Sequence, residues 1–199
     1  MRLCAARTGQ TLNKTALSRD AGISTKTTSA WLSALQACNQ ITLVAPWDGN
    51  LSKQLVKSPK LYFNAPRLAA FLMGLDLGAV RSSPWSGALW KTAVCAELRK
   101  ALSWRASSET LYFYRDTDGG EVDFIVGNGV RLDLIEFKCT ETPTVRDAAA
   151  IQRCAELMDG SGGARVRSKV IACRTRVPYP VTAECRAMNG VEVAEGLAR

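Results

Sequence analysis

The 199-residue chain contains no histidine. This excludes histidine-based triads, acid–base pairs and haem ligands, and leaves any zinc site to cysteine or carboxylate alone. The seven cysteines, at 4, 38, 95, 139, 154, 173 and 185, lack CxxC spacing, so reduced structural thiols are expected. No apolar run reaches transmembrane length, and the start MRLCAARTGQ lacks a signal-peptide core. The expectation is a soluble, cytoplasmic protein with no membrane partner. A GxxxxGK loop is also missing, so no ATP site of the P-loop kind is expected in this chain.

Acidic residues are scarce in one region only. Residues 1–70 carry nine Lys or Arg against two acids, and residues 71–199 carry seventeen against sixteen, so most of the net charge of +8 belongs to the first third. A basic unit followed by a charge-balanced one points to nucleic acid, DNA in the first instance, met at the N-terminal end.

Local signals divide that first third into helices and strands. Asn13 and Ser24 are N-cap residues for KTALSRDAG and TKTTSAWLSALQAC, and Gly22 stops the first of these helices. The pattern is helix-turn-helix, with Ile23, Trp31, Leu32 and Leu35 expected to lock the pair. Ile41 to Ala45, an Asp48-Gly49-Asn50 turn and Gln54 to Phe63 supply two strands of a wing. The expected unit is a winged helix-turn-helix over 1–75. Thr25, Lys26 and Thr28 would face the major groove, and Lys53, Lys57 and Lys60 would meet phosphates. Such units also serve as protein connectors.

The second unit, 84–199, follows a loop containing Ser82-Ser83-Pro84. Its centre is LYFYRDTDGGEVDFIVGNGVRLDLIEFK, residues 111–138, which reads as a three-stranded β-meander with Asp-Gly-Gly and Asn-Gly turn signals. A two-residue type I′ turn at Asn128-Gly129 would pair Gly127 with Val130, Asp123 with Leu134 and Glu121 with Glu136. Glu121, Asp123, Glu136 and Lys138 then share one face, and Val122, Phe124, Val126, Ile135 and Phe137 form the core face. In this register Asp123 and Glu136 are diagonal neighbours about 7–8 Å apart. An exposed hairpin with solvated charges would explain the pattern. So would a divalent cation, because Mg²⁺ is held by one or two carboxylates with water and phosphate. Lys138 would then stabilise developing charge. Around the meander, helices are expected at 66–75, 85–102 and 145–158, and strands at 166–174 and 191–193. That order predicts an α/β (α+β) three-layer sandwich with a mixed sheet.

The acid on one strand and Glu136-Phe137-Lys138 on the next resemble the PD-(D/E)XK restriction-endonuclease-like fold. Over nearly its whole length the chain is also similar to the uncharacterised C-terminal domain found behind the AAA-type module of predicted bacterial and archaeal ATPases. The stretches that carry this likeness are AARTGQTLN, LSRDAGIS, WLSALQA, LVKSPKLYF, SGALWKTAVCAEL, LYFYRDTDGGEVDFIV and LIEFK. The resemblance implies a winged helix joined to a nuclease-like domain, without the ATPase half. It implies Asp123 and Glu136 as Mg²⁺ ligands, with Lys138 and Glu121 completing the catalytic set, and an ATPase subunit or domain as partner. Two positions depart from the pattern, Ala65-Pro66-Arg67-Leu68 after KLYF and Lys91 where an acid is usual; the second is expected to weaken the site. The alternative is a catalytically inert regulatory or assembly domain that uses the winged helix for protein partners.

Overall fold

Both expected caps form. Asn13 Oδ1 accepts the Ala16 N–H at 2.9 Å, Ser24 Oγ accepts the Thr27 N–H at 3.0 Å, and Gly22 turns the chain with φ +65°. The structure is a computed structural model that describes residues 1–49, 57–76, 78–105, 108–117, 119–160 and 163–196. It divides into a first unit, Met1–Val44 with Ser58–Ala96, and a second, Ala45–Lys57 with Glu97–Arg199. Together they make a mixed α/β protein.

The first unit runs α1 (Arg2–Ala5), β1 (Gln10–Thr11), α2 (Lys14–Ala21), α3 (Thr25–Ala37), most of β2 (Ile41–Pro46), β3 (Lys60–Phe63), α4 (Pro66–Leu72) and the start of α5 (Ser86–Trp104). β3 pairs antiparallel with both β1 and β2, with Ile41 opposite Phe63 and Val44 opposite Lys60. Leu12, Leu17, Leu32, Ile41, Leu61, Phe63 and Leu89 build its core. Two of the four residues expected to lock the helix pair are not part of it, since Ile23 is 41 % exposed and Trp31 63 % exposed. The lock comes instead from Leu17 and Leu32, with Leu35 partly buried. The strand expected from Gln54 begins at Lys60, and the tip of the expected wing falls outside the described residues.

The second unit runs β4 (Thr110–Arg115), β5 (Glu121–Gly127), β6 (Arg131–Phe137), α6 (Val145–Gly160), β7 (Arg165–Cys173), β8 (Tyr179–Pro180), β9 (Cys185–Asn189) and α7 (Val193–Gly196). β4, β5 and β6 form the antiparallel meander; β7 lies parallel to β6 and β9 parallel to β7. The terminal strand expected at 191–193 is replaced by β9, followed by the helical turn α7. Cys-Arg-Ala-Met-Asn has no β-branched residue, so strand propensity did not mark it.

The second hairpin differs from its expected form. The last ladder pair is Gly127 with Leu132, so four residues lie between the paired positions, and Asn128 Oδ1 accepts the N–H groups of both Val130 and Arg131 at 3.2 Å. The register is shifted by two, which preserves the alternation of faces. The expectation of one core face and one acidic face does not hold, because Val122 to Gly127 and Leu132 to Phe137 are all buried. A β-bulge contributes to this. Tyr112 pairs with Ile125 but Tyr114 with Val122, so Asp123 and Phe124 together oppose Phe113. That extra residue brings Val122 into one cluster with Ile125, Leu134 and the α6 residues Ile151 and Ala155.

A second bulge leaves Arg167 as the extra residue where Leu132 pairs with Val166 and Asp133 with Ser168. Arg167 Nε donates to Asp133 Oδ1 at 2.9 Å, its Nη2 reaches both Asp133 and Glu109, and Ser168 Oγ donates to Asp133 Oδ1 at 2.7 Å. Asp133 is 1 % exposed, so removing its guanidinium strands a buried charge. Arg167→Met is expected to cost on the order of 3 kcal/mol in urea unfolding. Arg167→Met/Asp133→Leu should recover at least half of that loss, and an additive loss would show that the pair is not what holds this bulge.

Candidate functional site

Asp123 occupies the β5 bulge and is buried; its Oδ2 accepts the Phe137 N–H at 3.1 Å. Phe124 pairs with Ile135, and continuing that register sets Asp123 against Glu136. Directly opposed antiparallel residues have Cα atoms about 4.5–5.5 Å apart, closer than the diagonal arrangement expected from sequence. Glu136 is 9 % exposed and stands in register with Ile171 of β7. Lys138 follows the end of β6, where its N–H donates to Ala172 O at 3.0 Å. Its ammonium lies 3.2 Å from Glu136 Oε1. Two of the expected acids and the lysine therefore come together.

Glu121, the fourth expected member, lies elsewhere. It lines a cavity of about 330 Å³ with Asp116, Gly120 and the α6 residues Arg153 and Cys154. Among the described residues no group of three or more Cys, Asp or Glu is placed to hold a metal, so Glu121 does not add a third ligand to Asp123 and Glu136. Asp116 was missed in the sequence because Asp-Thr-Asp-Gly-Gly reads as turn chemistry. It is 4 % exposed and accepts bonds from Tyr114 Oη at 2.8 Å and the Gly120 N–H at 2.6 Å. A Cβ at Gly120 would lie 2.6 Å from Asp116 Oδ2, so a side chain there would push the Asp116 carboxylate aside. Lys91 is half-buried on α5 and clusters with the first unit.

The expected nucleic-acid residues separate by exposure. Thr25, Lys26 and Lys57 are exposed. Thr28 is buried and its Oγ1 donates to Ser24 O at 3.1 Å, and Lys60 is 2 % exposed on β3, so neither stands on the surface assumed for it. Thr28 faces the helix-pair core, and Lys60 sits in a strand flanked on both sides. Lys53 falls outside the described residues.

A family model described as a domain of unknown function (DUF4143) matches residues 86–189, just over half of the chain. The chain belongs to the DUF4143 family. That match contains Asp123, Glu136 and Lys138. A second model, also described as a domain of unknown function (DUF8612), matches residues 1–78. Two mycobacterial relatives are each 29 % identical over 138 residues: Uncharacterized protein Mb2031c of Mycobacterium bovis and Uncharacterized protein Rv2008c of Mycobacterium tuberculosis. The matched region is 69 % of this chain and 30 % of each relative, so the chain spans less than a third of their length. No solved structure matches. No helix among the described residues is long and apolar enough to cross a membrane.

The start of α6 adds a charge to the surroundings of Lys138. Asp147 Oδ2 accepts from the Thr144 N–H at 2.8 Å and from Thr144 Oγ1 at 3.0 Å. The Thr144 backbone bond above all, opposed by burial and aided by the Thr144 hydroxyl and the charges of Lys138 and Arg146, holds the Asp147 carboxyl below the usual range. A depressed pKa makes this contribution present above the unfolded-state value and lost as pH falls through the folded one. Asp147→Ala should cost about 1 kcal/mol at neutral pH, the usual value of such a cap. The stability difference from the parent should close as denaturation is repeated at progressively more acid pH. A difference that persists in acid would assign the loss to packing instead.

Proposed function

We propose that the chain is a DNA-associated module of an ATPase-type protein, and that its second unit carries a divalent-metal-dependent, nuclease-like site for phosphodiester hydrolysis. The observation that carries this reading is the convergence of buried Asp123 and Glu136 on adjacent strands with the Lys138 ammonium 3.2 Å from Glu136. The donor set fits a hard cation: two carboxylates are what Mg²⁺ commonly takes from a protein, with water and substrate phosphate supplying the rest. When bound, such an ion supplies Lewis acidity and a nucleophilic water. Asp123 and Glu136 would hold it. The Phe137 N–H fixes the Asp123 carboxylate, and Lys138 presents positive charge to the phosphate oxygens as negative charge builds on them. Lys138 also neutralises Glu136, so metal loading requires its ammonium to move away, and its side chain is 34 % exposed.

The element order of the first unit, helix, strand, helix, helix, strand, strand, supports the winged-helix reading, and the basic surplus supports contact with phosphates. The greater length of the mycobacterial relatives leaves room for an ATPase domain. A second reading, an inert assembly domain, is favoured by the same Lys138–Glu136 pair, in which the lysine takes the place of the cation.

Calorimetric titration with Mg²⁺ or Mn²⁺ separates the two readings. Metal binding should be detectable in the parent, at least tenfold weaker in Asp123→Asn and Glu136→Gln with the fold retained, and stronger in Lys138→Met. No binding in either the parent or Lys138→Met would decide for the inert reading.

Duplex DNA should bind with strong salt dependence. Lys26→Ala and Lys57→Ala should each lower the slope of log K against log salt by about 0.9, whereas Lys60→Met, at a buried position, should leave it unchanged. Binding that does not respond to salt would remove DNA as the partner of the first unit.

A further inference from the structure

The solvent side of α3 is unusual for an exposed helix. Among its thirteen residues Lys26 is the one charge, and Thr27, Ala30, Trp31, Ala34 and the following Cys38 are all exposed. They recur at i, i+3, i+4 and i+7 and so form one stripe. Trp31 sits in the middle, flanked by alanines whose small side chains admit a close neighbour. An exposed tryptophan in a charge-poor surround is the composition of an interface centre.

The stripe is poorly equipped to read DNA. A recognition helix uses its N-terminal residues, and here most of those hydroxyls already have partners within the fold. Thr27 Oγ1 is 2.8 Å from Ser24 Oγ, Thr25 Oγ1 is 3.5 Å from Ser18 Oγ, and Thr28 is buried. Charge identifies a better occupant. Lys14, Arg19 and Lys26 are exposed on the helix pair, and its one acid, Asp20, is already paired with Arg7 and Arg19. The helix pair thus carries a positive surplus, while the α3 stripe itself is neutral and largely apolar.

We infer that the α3 face centred on Trp31 is a docking surface for a partner protein's amphipathic helix, apolar on one side and acidic along its flanks. The apolar side would cover Trp31 between Ala30 and Ala34, and the acids would meet Lys14, Arg19 and Lys26. This adds a protein partner to the reading proposed above and does not depend on the metal site.

The test titrates the full chain with three probes: a helical peptide with leucines at i, i+3, i+4 and i+7 and glutamates elsewhere, its lysine counterpart, and a short DNA duplex. The acidic peptide should bind and the lysine peptide should not. Trp31→Ala should weaken the acidic peptide at least tenfold, as should Ala34→Glu, which keeps the tryptophan but places a like charge on the face. Duplex affinity should be unchanged in Trp31→Ala. Failure of the acidic peptide to bind, or equal binding to Trp31→Ala, would overturn the inference. A tenfold loss of duplex affinity in Trp31→Ala would overturn it too, and would make α3 a DNA-reading helix. Metal titration of the same variants reports separately on Asp123 and Glu136.

Discussion

The second unit is governed by the cost of burying carboxylates in strands covered on both faces. β5 and β6 carry Asp123, Asp133 and Glu136, each at most 9 % exposed, and a carboxylate removed from water must be met by hydrogen bonds or opposite charge. The three acids are met differently. Asp133 is clamped by Arg167 and Ser168, Asp123 by a backbone N–H, and Glu136 by a lysine that reaches solvent. A clamp of the first kind leaves nothing to exchange. Asp123 and Glu136, held in part by a backbone N–H and by a partly exposed lysine, are the two acids proposed above as ligands.

Irregularities of the sheet fall where these acids sit. The β5 bulge contains Asp123 and the β7 bulge contains Arg167. An extra residue turns a side chain out of strict alternation, so a strand otherwise committed to the core can aim a polar group sideways. The β4–β5 turn is organised similarly, with Asp116 holding Tyr114 and Gly120.

The first unit distributes its polar groups in another way. Its caps and hydroxyl pairs satisfy the ends of α2 and α3 internally, while Trp31 and Ile23 remain at the surface. Part of the helix-turn-helix pattern expected to seal the pair therefore faces outward. Leu17 and Leu32 bring the two helices into the shared core of the unit, which leaves Trp31 and Ile23 for other contacts.

What the sequence determined by itself was local. Asn13, Gly22 and Ser24 set helix ends because a cap needs only neighbours within a few residues, and alternation along β5 and β6 placed Glu136 and Lys138 on one side whatever the register. The two-residue register shift of the β5–β6 hairpin, the burial of both strand faces, the loss of Thr28 and Lys60 from the surface and the placement of Glu121 in the cavity lined by Asp116 were decided by tertiary structure. Each depends on residues far away in sequence: β7 flanks the meander and α6 packs on it, β1 and β2 flank Lys60, and a bulge counted against β4 re-aims β5. A composition rule gives a lysine or threonine an average exposure, and only the packed neighbours decide the actual one.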